Sequence, residues 1–155
     1  MRKELEPYLQ DTEFTCAPAT LKIGYESLDF IISEKRLREE LNTTEDGTTW
    51  RKVRVNPSLH GFEKMYRSKT MGNLTYRDLR VWTQIRDGFV VVSFLNLRVK
   101  PKDYHFSILR SALDEYVVVM DPGLGRLSRM NKAKWMHVWT EQSPSRPAML
   151  VWKEE

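Results

Sequence analysis

Cysteine is almost absent from this chain: one residue, Cys16, in 155. No intrachain disulfide can form, so an apolar core must hold the fold. A lone thiol suits a reducing compartment, either as a buried apolar filler or as a nucleophile. Histidine is nearly as scarce, with His60, His105 and His137 widely separated. One Cys and three scattered His give no metal-ligand spacing, and neither a metal nor another cofactor is expected. Long apolar runs are missing too. Runs such as Phe89 to Val92 fall far short of the ~20 residues a membrane span needs, and Met1 to Gln10 holds no apolar stretch of signal-peptide length. The expectation is a soluble, cytoplasmic chain without membrane insertion. There is no G-x-x-x-x-G-K-[ST] phosphate loop, no tandem repeat and no domain linker. One domain over residues 1–155 is expected, long enough for a core of its own.

Charge of one sign is not concentrated anywhere. Lys and Arg number 25 against 21 Asp and Glu, giving a net charge of +4 and a pI near 9.2. A basic pI raises the question of nucleic acid, but the signs are mixed, as in Arg36, Arg38, Glu39 and Glu40, and no Lys/Arg block of five occurs. Nucleic acid is therefore not the expected partner.

The first half of the chain has helical periodicity. Thr15 reads as an N-cap, and Ala17, Leu21, Tyr25 and Leu28 follow on one stripe, predicting a helix over residues 16–28. Pro18 falls in its first turn, where a missing N–H costs nothing. A second helix is predicted over 33–41, and a short third one capped by Thr48 and meeting Asn56-Pro57. A short strand is predicted over 62–66. Thr75 and Asp78 form a capping-box pattern opening a helix to about Asp87. The second half changes period. Residues 89–95, 105–109, 116–120 and 149–152 read as strands, with a short helix over 131–139 carrying Trp135 and Trp139. Helices first and an antiparallel sheet after them is an α+β pattern.

Three features carry chemistry. Cys16 opens a helix, and a helix N-terminus favours negative charge, hence the reactive thiolate. His105 and Asp121 sit on consecutive strands. With the turn centred on Leu113, paired residues sum to 226, so these two are expected directly opposite each other, with Cβ atoms roughly 4.5–5.5 Å apart. The carboxylate can then hold one ring nitrogen and leave the other to take a thiol proton. A one-residue slip would put them on opposite faces. Gln10, six residues before Cys16, can fold back and offer its amide, with the Cys16 backbone N–H, to an oxyanion. Asp103 is an alternative carboxylate, read as an exposed loop acid. His60 and His137 are read as capping and packing residues. The order Gln, Cys, His, Asp is that of papain-like enzymes, with Asp where papain has Asn.

The motifs resemble a particular family, the cysteine peptidases that remove double-glycine leader peptides from bacteriocin precursors, with their wider relatives. That family has a Gln, five residues, then the nucleophilic Cys opening a helix; here the segment is Gln10-Asp-Thr-Glu-Phe-Thr-Cys16-Ala-Pro-Ala-Thr-Leu21. Its second motif is a His opening a strand, a hairpin, then Asp-Pro; here it is His105-Phe-Ser-Ile-Leu109, then Tyr116-Val-Val-Val-Met-Asp121-Pro122-Gly-Leu-Gly125. The likeness covers residues 8 to 152. It implies a papain-like fold, a helical half packed on an antiparallel sheet, with Cys16 as nucleophile, His105 as base then acid, Asp121 as orienter and Gln10 as oxyanion donor. It implies a peptide or protein substrate and, since many relatives are domains of ABC transporters, a separate transporter as partner. Ala17 departs from the Gly usual after the Cys and points to a divergent branch. Two rivals stand beside this. Transglutaminase-like enzymes and arylamine acetyltransferases share the Cys, His, Asp order, and related domains that only bind leader peptides keep the groove without cleaving.

Overall fold

The computed structural model describes residues 4–68, 74–96, 103–141 and 146–154. Three helices come first: α1 (Cys16–Ser27), α2 (Glu34–Glu40) and α3 (Trp50–Leu59). Strand β1 (Glu63–Arg67) and helix α4 (Tyr76–Thr83) follow. The rest is β2 (Gly88–Asn96), β3 (Asp103–Ala112), β4 (Tyr116–Asp121), β5 (Arg126–Asn131), α5 (Lys132–Glu141) and β6 (Ala148–Trp152). The strands form one antiparallel sheet in the order β1-β6-β2-β3-β4-β5.

Helices cover both faces of this sheet. Phe89 and Val91 of β2 face a core containing Leu21, Ile23 and Tyr25 of α1, Leu37 of α2 and Val53 of α3. Val90, Val92 and Phe94 face the opposite way, into a core with Leu79 of α4 and Trp135, Val138 and Trp139 of α5. A strand buried on both faces needs apolar residues at every position, which is why β2 reads as a continuous run. Helix α1 is buried over most of its circumference, from Cys16 to Ser27 except Lys22 and Glu26, so it is a central helix and not the one-stripe helix its spacing suggests. Gly24 lets it close on the sheet, because a Cβ there would overlap the Phe89 ring. Tyr25 Oη donates to Asn56 Oδ1 at 2.5 Å, and Asn56 Nδ2 donates to Glu40 at 2.9 Å. This chain of bonds ties the three N-terminal helices together.

Several local expectations need correction. Thr15 precedes α1 but does not cap it; its hydroxyl donates to the Thr12 carbonyl at 3.0 Å and accepts the Thr12 amide, also at 3.0 Å. Thr49, not Thr48, caps α3, and that helix runs through Pro57 to Leu59. The Thr75–Asp78 capping box is present, but α4 stops at Thr83 rather than near Asp87. Strand β5 was not expected. Its alternating, mostly exposed residues lack the apolar signal of a buried strand, and pairing with β4 at the sheet edge makes it one.

The β3–β4 register is the correction that matters for the site. The hairpin turn is Asp114-Glu115, closed by the Leu113 amide donating to the Tyr116 carbonyl at 2.9 Å. Next to it Ala112 pairs with Val117 and Ser111 with Val118; beyond an irregularity between Leu109 and Ser111, Leu109 pairs with Val119 and Ile108 with Met120. The pairing sum is therefore 228 near His105, not 226. Asp121 is opposite Ser107 and diagonal to His105, still on the same face. Without the bulge at Arg110 the sum would stay at 229, and His105 and Asp121 would point to opposite faces. The bulge absorbs one extra residue, so deleting Arg110 straightens the ladder without changing any pair. That deletion costs only an exposed ion pair with Glu4 (3.1 Å), worth about 1 kcal/mol or less. We expect it to keep His105 and Asp121 on one face, whereas deleting Ser107 turns His105 to the other face; amide crosspeaks of β3 and β4 in the two deletions check this.

Candidate active site

Cys16 is the first residue of α1, and its side chain is buried apart from a small exposed remnant. The helix leaves its first amides unpaired by the helical ladder, and together with the macrodipole they favour an anion at this end. His105, near the start of β3, is buried, and its ring meets Phe94 edge to face with centroids 5.8 Å apart. Asp121 ends β4 and hydrogen-bonds His105 Nε2. That bond leaves Nδ1 as the ring's other nitrogen. The second group acting on the ring is Cys16, which favours its charged form.

The electrostatics of His105 follow from those neighbours. Burial works against the imidazolium. The hydrogen bond to Asp121, the hydrogen bond and charge of Cys16, and the charge of Asp121 outweigh it and push the pKa up to about 9. An unfolded histidine titrates near 6.5. The charged ring therefore stabilises the fold fully below about pH 6.5, and that contribution is lost as pH rises through about 9. Over the neutral range the charged form of the His105 ring is therefore favoured.

The turn after β4 completes the grip on Asp121. Leu124 and Gly125 amides donate to the Asp121 carbonyl at 3.1 and 2.8 Å, and the Gly123 amide donates to its carboxylate Oδ1 at 2.8 Å. Gly123 is packed so closely that a Cβ there would stand 3.1 Å from both Asp121 Oδ1 and His105 Cε1. Gly123→Ala keeps the amide donor but presses on both catalytic candidates. A displacement of a few tenths of an ångström is expected to lower kcat roughly tenfold with little change in KM, measured by steady-state kinetics.

Gln10 reaches this turn through its backbone: its amide donates to the Pro122 carbonyl at 2.9 Å. Its side-chain Nε2 donates to the Thr12 carbonyl at 2.6 Å, and its buried Oε1 has no partner. One of the two N–H donors of the Gln10 side chain thus has an internal acceptor, and the other is left to donate elsewhere. Gln10 is thus tied through its backbone to the Pro122 turn, and Asp121 beside that turn is tied to His105. The other histidines lie apart from it. His60 Nε2 bonds Glu40 Oε1 at 2.7 Å and its ring packs against Tyr25 and Phe30; His137 is exposed on α5. The Asp103 side chain lies outside the described residues. Gly123 was missed, although Asp-Pro-Gly after a strand is a turn signal, because its closeness to the imidazole arises only from the fold.

A cavity of about 190 Å³ adjoins the far side of the His105–Asp121 pair, between β4, β5 and α5, lined by Phe94, Val119, Met130 and Val138 among others. His105, Asp121 and Gly123 also line it, and Cys16 does not. Among the described residues no cluster of His, Cys, Asp and Glu could hold a metal ion.

A cysteine opening a helix, together with an imidazole that a carboxylate anchors on an antiparallel hairpin, fits the papain-like class of thiol peptidases. Comparison with known families matches residues 5–143 to the peptidase C39 family, and the chain belongs to that family of cysteine peptidases. No curated protein sequence matches it. Among solved structures, the peptidase domain of Streptococcus ComA, a bi-functional ABC transporter of a quorum-sensing pathway, superposes with a TM-score of 0.75 at 19% identity, over 97% of this chain and all of the other. A double-glycine motif protease from an AMS/PCAT transporter, solved with its leader peptide, gives 0.74 at 14% identity, over 98% and 94%. A Bacillus anthracis protein described as a C39-like peptidase gives 0.68 at 11% identity, over 96% and 95%. At these identities the superpositions establish the papain-like fold of helices packed on an antiparallel sheet.

Proposed function

We propose that this chain, acting as one peptidase domain, hydrolyses peptide bonds through Cys16, His105 and Asp121 and that its substrates are precursors with a double-glycine leader. The observation that carries the proposal is the His105 ring hydrogen-bonded by Asp121, with Cys16 opening α1 and favouring the charged ring. The Cys16 thiolate attacks the scissile carbonyl and forms a tetrahedral intermediate. The second N–H of the Gln10 amide and the Cys16 backbone N–H stabilise its oxyanion. His105 Nδ1 gives its proton to the leaving amine, leaving a thioester on Cys16. His105, now neutral, takes a proton from water, which hydrolyses the thioester and restores the thiolate–imidazolium pair. Asp121 holds the ring orientation throughout.

Substrate class comes from the likeness to a protease solved with a leader peptide and to a transporter's peptidase domain. No helix among the described residues is long and apolar enough to cross a membrane. By the same likeness to transporter peptidase domains, the proposal has the chain meet its substrate on the cytoplasmic side and work with a separate transporter. A Cys16→Ala protein immobilised and exposed to lysate peptides tests this. Retained peptides that the intact enzyme cleaves after Gly-Gly support the proposal. Cleavage elsewhere removes the leader assignment, and capture of nothing cleavable removes proteolysis.

A further inference from the structure

Glu34 is an acid in an unfavourable place. It opens α2, is 2% exposed, and aims both carboxylate oxygens at one backbone amide, that of Asp11, at 3.2 Å each. Asp11 directly follows Gln10. Two consecutive amides of the loop before α1 are thus gripped from different elements: Gln10 N–H by the Pro122 carbonyl after β4, and Asp11 N–H by Glu34 of α2. The Thr12 carbonyl receives both the Gln10 side chain at 2.6 Å and the Thr15 hydroxyl at 3.0 Å. The aim of the Gln10 side chain is therefore set by peptide planes anchored at these points.

We propose that Glu34 is a positioning residue for the oxyanion donor: by holding the Asp11 amide it keeps the Gln10 carboxamide aimed at the Cys16 end of α1. This rests on Gln10 acting as that donor. The cost of the arrangement supports a role beyond folding. Burial pushes the Glu34 carboxyl up, the Asp11 side chain pushes the same way, the Asp11 amide and Arg38 pull back, and the result is a pKa of about 7. The charged and titratable groups facing it are Asp11 and Tyr8 from the N-terminal segment and Arg38 from its own helix, with Lys22 of α1 over the Tyr8 ring. Because the folded pKa exceeds that of an unfolded carboxyl, stability from this group falls as pH rises from the unfolded value through about 7 and then levels off. A glutamine would keep one oxygen for the Asp11 amide without a buried charge, so fold stability alone favours Gln over Glu. An ionised acceptor, in turn, makes the stronger bond to an amide.

A quenched fluorogenic peptide with Gly-Gly ahead of the scissile bond is the probe, read with Glu34→Ala, Glu34→Gln, Gln10→Ala and the double variant Gln10→Ala/Glu34→Ala. At pH 8, Glu34→Ala is expected to lower kcat roughly tenfold with KM within about twofold, and Glu34→Gln to recover most of that loss. In the Gln10→Ala background Glu34→Ala should cost nothing further. The ratio of wild-type to Glu34→Gln kcat should rise as pH passes about 7, and hydrogen exchange at the Asp11 amide should quicken in Glu34→Ala. If Gln10→Ala lowers kcat while Glu34→Ala does not, or if their losses multiply, the proposal is overturned and the oxyanion assignment stands. If Gln10→Ala leaves kcat unchanged, that assignment fails and takes the proposal with it. Should Glu34→Ala not fold, Glu34→Gln and its pH ratio decide alone: a ratio constant with pH overturns the proposal.

Discussion

Cys16→Ala is expected to remove peptide hydrolysis entirely, to the level of the uncatalysed reaction and by at least about 10⁴-fold in kcat, while leaving the fold and peptide binding in place. The sulfur is the only thiol in the chain, so no other residue can form the thioester. Alanine removes one buried atom at the start of α1, where the neighbouring Ala17 and Ala19 show that a methyl group packs well. Unchanged circular dichroism with no product, by mass spectrometry after long incubation, is the expected pair of results. Residual turnover above about 1% of wild type would mean that another nucleophile operates.

Asp121→Ala is expected to lower kcat by roughly 10²–10⁴-fold and to change the pH profile in a defined direction. In the wild type the imidazolium survives to about pH 9, so activity should fall on the alkaline side near that value. Asp121 supplies a hydrogen bond and a charge that oppose the burial of His105. With both gone, burial still disfavours the charged ring and only Cys16 remains to favour it. The alkaline limb must therefore move to lower pH, not higher. The same variant should lose the part of its stability that wild type loses only as pH rises toward 9, which a denaturation series between pH 6.5 and 9.5 would record. Loss of rate with the limb still at 9 would mean that Asp121 shapes the turn without acting on the ring.

Local signals carried much of this site. Cys16 at a helix start, Pro18 in the first turn and the Thr75–Asp78 box depend on neighbours within four residues, and the structure agrees with each. His105 and Asp121 were legible as a pair because a hairpin relates residues by simple counting, yet the count was off by two. The shared face survived only because the Arg110 bulge offsets the displaced turn, and nothing in the residues near Arg110 signals a bulge. What stayed illegible needed contacts between distant segments. The exposed, alternating β5 gains its strand from β4, and β6 inserts between β1 and β2. Gly123 matters because of an imidazole 18 residues earlier in the chain, and Glu34 because of an amide on another element.

The most direct measurement is an NMR titration of the His105 ring in the wild type, Cys16→Ala and Asp121→Ala proteins. A side-chain pKa near 9 that drops in both variants is the predicted result, since each removes one of the two partners that hold the proton. A wild-type value near the ordinary 6.5, or one that Cys16→Ala leaves unmoved, would contradict the pairing of sulfur, imidazole and carboxylate.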